Sequence, residues 1–161
     1  MGYTHYWSVK KAPKGKATQV EKAYQKAILE CAKVIRYYSE TFGGLSGYSA
    51  HCEPRLYGGL KVNGSNRVGS CEDFVMREHF SENAEFEFCK TGQYPYDTVV
   101  TACLIILKHR LGPMIDVSSD GRRDDWNDGL ILARKVLGLK RIDIPETIQP
   151  NVRELSQDEA G

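Results

Sequence analysis

Apolar and polar positions alternate from Gly2 to Val9, with Tyr3, His5 and Trp7 on one face and Thr4, Tyr6 and Ser8 on the other, which predicts a strand. A basic loop from Lys10 to Lys16, containing Pro13 and Gly15, follows it. Thr18 and Glu21 then read as a capping box. Val20, Tyr24, Ala27, Cys31, Val34 and Tyr38 recur at helical spacing until Gly43-Gly44, so the pattern predicts an amphipathic helix of about six turns.

Residues 45–57 carry no period and include Gly47, His51, Cys52 and Pro54, the composition of a surface loop long enough to be a lid or a partner contact. Strands are expected over Tyr57 to Asn63, Glu72 to His79 and Ala84 to Cys89, the last two joined as a hairpin through Ser81-Glu82-Asn83. The alternation Glu85-Phe86-Glu87-Phe88 predicts one wet face and one buried face.

Pro95 suits the first turn of a second helix. Its apolar residues from Val99 to Leu111 surround most of the circumference, which makes it central. Gly112-Pro113 ends it, Met114 to Val117 predicts a short strand, and Trp126, Leu130, Ala133 and Leu137 space a third helix up to Gly138. The order of elements predicts an α+β fold: a mainly antiparallel sheet of about five strands, with three helices packed on one face. A single domain is expected over 1–141. Residues 142–161, with Pro145, Pro150 and an acidic end, read as a C-terminal arm, disordered near its end unless a partner holds it.

A chain of 161 residues fits one core. Lys+Arg 22 against Asp+Glu 21 gives a formal charge of +1, so no overall field favours long nucleic acid or an anionic membrane. The longest apolar run, Val99 to Leu107, is too short to span a bilayer, and no leader pattern precedes Tyr3. Five cysteines without a CxxC pair argue for reduced thiols and a cytoplasmic location.

Two strand-to-helix junctions concentrate the polar chemistry: Phe88-Cys89-Lys90-Thr91 and Val117-Ser118-Ser119-Asp120-Gly121. Such junctions leave amide hydrogens unpaired and aim a positive dipole end outward, so a pair of them at one sheet end predicts an anion site. Lys90 would neutralise charge, Thr91, Ser118 and Ser119 would donate hydrogen bonds, and Arg122 would add a guanidinium fork. Trp7, Tyr94 or Tyr96 would cover a base, and Asp97 or Asp120 would read hydroxyls.

Each of these residues also has an ordinary structural role: Thr91 as a helix cap, Ser118 to Gly121 as a turn, the aromatics as packing. Glu72 and Asp73 point to opposite strand faces and make no acid–base pair. None of His5, His51, His79 and His109 has a ligand partner at metal spacing, so no metal and no cofactor is expected. Cys71 or Cys89 with His5 would make a nucleophile pair only if brought together in space.

The set Gly2-Tyr3-Thr4-His5-Tyr6-Trp7, Asn63-Gly64, Glu72-Asp73-Phe74, Phe88-Cys89-Lys90-Thr91 with Pro95-Tyr96-Asp97, and Val117-Ser118-Ser119-Asp120-Gly121 with Trp126 resembles a family of small uncharacterised phage and bacterial proteins. That resemblance implies a phage-related cytosolic accessory protein and transfers no catalytic assignment. In size and context the chain is also similar to phage anti-defence sequestering proteins, or sponges, which hold cyclic nucleotide or cyclic ADP-ribose immune signals and are commonly oligomers.

The leading expectation is therefore a homo-oligomeric protein that sequesters a nucleotide-derived small molecule. An alternative is a hydrolase of a phosphodiester or N-glycosidic bond in such a molecule, with His5 or Asp97 as general base. A host-protein interaction module using residues 45–57 and the tail is the third.

Overall fold

The computed structural model describes residues 2–47 and 52–152. It has an α+β fold whose strands form two three-stranded antiparallel sheets rather than one. In the first, β1 (Thr4–Val9) lies between β5 (Phe86–Lys90) and β6 (Ile115–Ser119). His5 stands opposite both Cys89 and Ser119 in the register. The second sheet runs β2 (Leu45–Ser46), β3 (Leu60–Gly64), β4 (Phe74–Met76). Trp7 meets Phe74 at 5.3 Å between ring centroids, which ties the two sheets into one core.

The expected hairpin between residues 72–79 and 84–89 does not form, because β4 pairs with β3 and β5 with β1. The reason lies at Phe80, a buried ring at the start of the short 3₁₀ turn Phe80–Glu82. Its amide donates to the Glu21 carboxylate at 2.9 Å, and this anchor sends the chain from one sheet to the other. Glu21 is thereby taken from the predicted capping box: α1 (Ala17–Phe42) starts after Lys16 with no side-chain cap.

α2 (Asp97–Leu111) is central, as its all-round apolar pattern requires, and Val99 through Leu107 are all buried. Each large side chain so buried contributes roughly 1.5–3 kcal/mol of transfer free energy. α1 and α3 (Asn127–Leu137) pack against it. Arg110 on α2 holds Glu30 on α1 through two parallel bonds of 2.6 and 2.8 Å, so the largely buried carboxylate keeps its charge partner.

Residues after 141 are not a free arm over their described part. Ile142, Ile144 and Ile148 are buried in the core, and the Thr147 hydroxyl donates to the Val117 carbonyl on the outer edge of β6. The strand edge is thus covered by the chain itself. Of the expected lid at 45–57, residues 45 and 46 form β2 and Arg55 bridges Lys61, while His51 lies outside the described residues.

Candidate functional site

The two junctions do converge. β1 lies between β5 and β6, so Thr91, just past β5, and Ser119, at the end of β6, reach the same sheet end beside His5. Four predicted residues meet there in one buried relay. Ser119 Oγ lies 2.7 Å from His5 Nδ1, His5 Nε2 lies 2.6 Å from Asp97 Oδ1, and the Thr91 hydroxyl donates to the same carboxylate oxygen at 2.6 Å.

The donors around Ser119 set the direction of this chain. Its Oγ accepts from the Gly121 amide at 2.9 Å and from Trp126 Nε1 at 3.3 Å, which fills both lone pairs and turns its own proton toward His5. His5 then accepts at Nδ1 and donates from Nε2 to Asp97. Serine, histidine and aspartate are linked as in an acid–base relay, yet His5 is wholly buried and Ser119 nearly so. The Tyr3 and Trp126 rings meet the imidazole edge-on at 5.1 and 5.0 Å. In this arrangement the relay is a clasp joining β1, β6 and the start of α2.

Tyr3 has the least satisfied polar atom of the cluster. Its hydroxyl is buried beside Ser119 and Gln93 without a well-formed hydrogen bond, and burial, reinforced by the Asp97 and Asp125 carboxylates, pushes its pKa up. Gly121 is required here because a β-carbon would collide with that hydroxyl.

The open amide cradle expected at this end is absent among the described residues. The Thr91 and Gly92 amides both donate to the Tyr3 carbonyl at 3.1 and 3.2 Å, Gln93 N–H to Thr91 Oγ1, Asp120 N–H to the Thr4 carbonyl, and Arg122 N–H to Asp125. Asp97, Asp120, Asp124 and Asp125 also make the neighbourhood acidic. Unsatisfied amides and positive potential were the two requirements for a phosphate there, and the local hydrogen bonding removes the first.

The remaining predicted residues divide. Trp7 and Tyr96 are core residues with no ring face in solvent; the Tyr96 hydroxyl donates to the Glu72 carbonyl at 2.6 Å. Tyr94 is 43 % exposed but lies over Gly69, and Arg122 Nη1 donates to the Pro150 carbonyl at 2.9 Å. Lys90, Ser118 and Asp120 lie on the outer face of the β5-β1-β6 sheet, where Asp120 accepts from the Thr4 amide and the Tyr6 hydroxyl. Cys89 is buried, donates to the Glu72 carbonyl, and burial raises its pKa, so it is no nucleophile for His5.

A concavity lies at the opposite end of β1. A groove of about 810 Å³ runs from Val9, Lys10 and Lys11 past Ala17, Thr18 and Lys22 at the start of α1 to His79, Phe80, Ser81 and Glu85. Val9, Ala12, Ala17 and Phe80 give it apolar walls and three lysines stand around it. Lys10 lies 3.5 Å from Asp116, whereas Lys11 and Lys22 have no carboxylate partner among the described residues.

One wall is held by Glu21, which accepts from His79 Nδ1 at 2.9 Å, the Phe80 amide and Gln25. Burial would raise the Glu21 pKa, but these donors outweigh it and hold it below its ordinary value; the Glu21 hydrogen bond holds that of His79 above its own.

In the sequence the groove is signalled by the basic loop at 10–16 taken together with the helix start after it: a lysine cluster feeding directly into a helix N-terminus. For metals, the described residues offer one close set of carboxylate and imidazole atoms, Glu78, His79 and Glu82, all exposed. Comparison with known proteins gives no matching family model, no matching curated protein and no matching solved structure.

Proposed function

We propose that the chain binds a nucleotide-derived small molecule in the groove between β1 and the start of α1, and sequesters it without turnover. The observation that carries this reading is a concavity of about 810 Å³ with apolar walls and Lys10, Lys11 and Lys22 around it. Its size falls in the range of roughly 300–1,000 Å³ typical of small-molecule sites.

Phosphate groups are placed at the lysines and at the N-terminal end of α1, where Ala17 and Thr18 line the groove and the helix dipole favours negative charge. A base packs on the half-buried Val9 and Ala12 side chains. Glu85, exposed and without a cation partner among the described residues, accepts from ribose hydroxyls. The reading is sequestration rather than hydrolysis because the Ser119–His5–Asp97 relay is buried at the other end of β1.

Calorimetric titration with a panel of cyclic dinucleotides, ADP-ribose and cyclic ADP-ribose tests the reading. Binding is expected to weaken about tenfold in each of Lys11→Glu and Lys22→Glu, the scale of one lost charge-assisted contact made repulsive. Ligand recovered intact after denaturation supports sequestration; altered ligand moves the function to hydrolysis, and a silent panel ends the proposal.

A further inference from the structure

In the alternation Glu85-Phe86-Glu87-Phe88 the phenylalanines take the wet face of the sheet. Cys89 points into the core and Glu87 is half-buried, while Phe86 and Phe88 are 57 % and 53 % exposed on the outer face of the β5-β1-β6 sheet. The two rings lie 6.3 Å apart and Phe86 stacks on Tyr6 at 6.2 Å, so they form one aromatic patch rather than scattered residues. No described element covers it, although the same chain covers the β6 edge with Thr147.

We propose that this face is the interface of a homodimer whose two-fold axis runs along β1, with the two sheets packed face to face. Charge decides both the occupant and the axis. The register sets two rows across the face, Phe88, Tyr6 and Ser118, and Phe86, Ser8 and Asp116, and a third forms at its end, where Thr4 pairs with Lys90 and its carbonyl takes the Asp120 amide just past β6. The β5 side therefore carries the aromatics and a cation, and the β6 side carries two carboxylates.

A rotation of 180° about an axis along β1 lays the β5 side of one copy over the β6 side of the other while keeping each row in place. Lys90, which has no carboxylate partner in its own chain among the described residues, then faces Asp120 of the second copy, and the reverse contact forms by symmetry. An axis across the strands instead sets Lys90 over Phe86 and Asp120 over Asp116, like charge against like, whereas the axis along β1 leaves over Phe86 only Asp116, which Lys10 of its own chain already neutralises. Aligned packing of this kind suits two twisted sheets about 10 Å apart. A nucleic acid strand is disfavoured on the same face, because Asp116 and Asp120 would meet its phosphates.

The test is molar mass by light scattering over a concentration series, together with thiol cross-linking. The chain is expected to be a dimer. Phe88→Glu and Lys90→Glu, both exposed positions, are each expected to weaken it about tenfold or more, as loss of a central interface contact does. Ser8→Cys, in a Cys52→Ser background, is expected to give a dimer cross-linked by a short bismaleimide, whose reach of about 10 Å matches the sheet spacing, since only the axis along β1 places Ser8 against its own copy.

A monomer at every concentration overturns the proposal, as does a dimer indifferent to Phe88→Glu. A dimer in which Ser8→Cys fails to cross-link overturns the axis. Circular dichroism of each variant separates a lost interface from a lost fold, and groove titrations report on ligand binding independently.

Discussion

At the scale of single residues, His5 shows how burial decides between chemistry and structure. A serine whose two lone pairs are taken by Gly121 and Trp126, a wholly buried imidazole and a carboxylate shared with Thr91 form a satisfied network, and satisfied buried networks fix geometry. Removing its centre leaves Ser119 and Asp97 each short of a partner and opens a void between Tyr3 and Trp126. His5→Ala is therefore expected to cost about 2–4 kcal/mol, and Asp97→Asn about 1–3 kcal/mol, in urea unfolding monitored by Trp fluorescence.

The Glu21 and His79 pair gives a residue-scale test on pH. The lowered Glu21 pKa contributes stability that is present above about 4.5 and lost as pH falls through the folded value. The raised His79 pKa contributes stability that is present below about 6.5 and lost as pH rises through its folded value. The pair is thus strongest between those limits. The difference in Tm between the parent chain and Glu21→Gln is expected to be largest at about pH 5.5 and to shrink toward both pH 3 and pH 8. Both side chains are partly solvated, so the effect is small and screened by salt.

At the scale of elements, the contact between α2 and α3 depends on Gly129. A β-carbon there would collide with the Thr101 hydroxyl and approach the backbone nitrogen of Ala102. Alanine would favour the helix by about 1 kcal/mol, but the helix backbones would have to separate. Gly129→Ala is therefore expected to be destabilising by about 1–3 kcal/mol, seen as a fall in urea midpoint at constant m.

Helices were the elements most legible in the sequence, because α1 carries a long 3.6-residue pattern, α2 a long apolar run between Pro95 and Gly112, and both end at glycines with positive φ, Gly43 and Gly112. Strands were less so. A two-residue period in Glu85-Phe86-Glu87-Phe88 cannot say which face is inside, and β5 buries Cys89 while leaving the larger rings in solvent. Pairing was hidden for a similar reason: the Glu21 anchor at Phe80 joins residues far apart in the chain, which no local pattern records.

At the scale of the whole molecule, the fold separates its two polar centres by the length of β1. The convergence of His5, Thr91, Asp97 and Ser119 was legible from the junctions, but their mutual satisfaction was not, since it depends on the tautomer of one buried ring and on the Trp126 indole. If the clasp sets stability and the groove sets recognition, variants at the two ends should separate two measurements. Asp97→Asn is expected to lower the urea midpoint and leave the affinity for a bound nucleotide within about twofold, because rigid strand geometry at Val9 does not require the clasp to be intact. Lys11→Glu is expected to do the reverse, with affinity down about tenfold and midpoint unchanged, since an exposed unpaired lysine contributes little to folding. Loss of affinity in Asp97→Asn at a temperature where the chain is fully folded would contradict the division and return the ligand to the His5 end of the sheet.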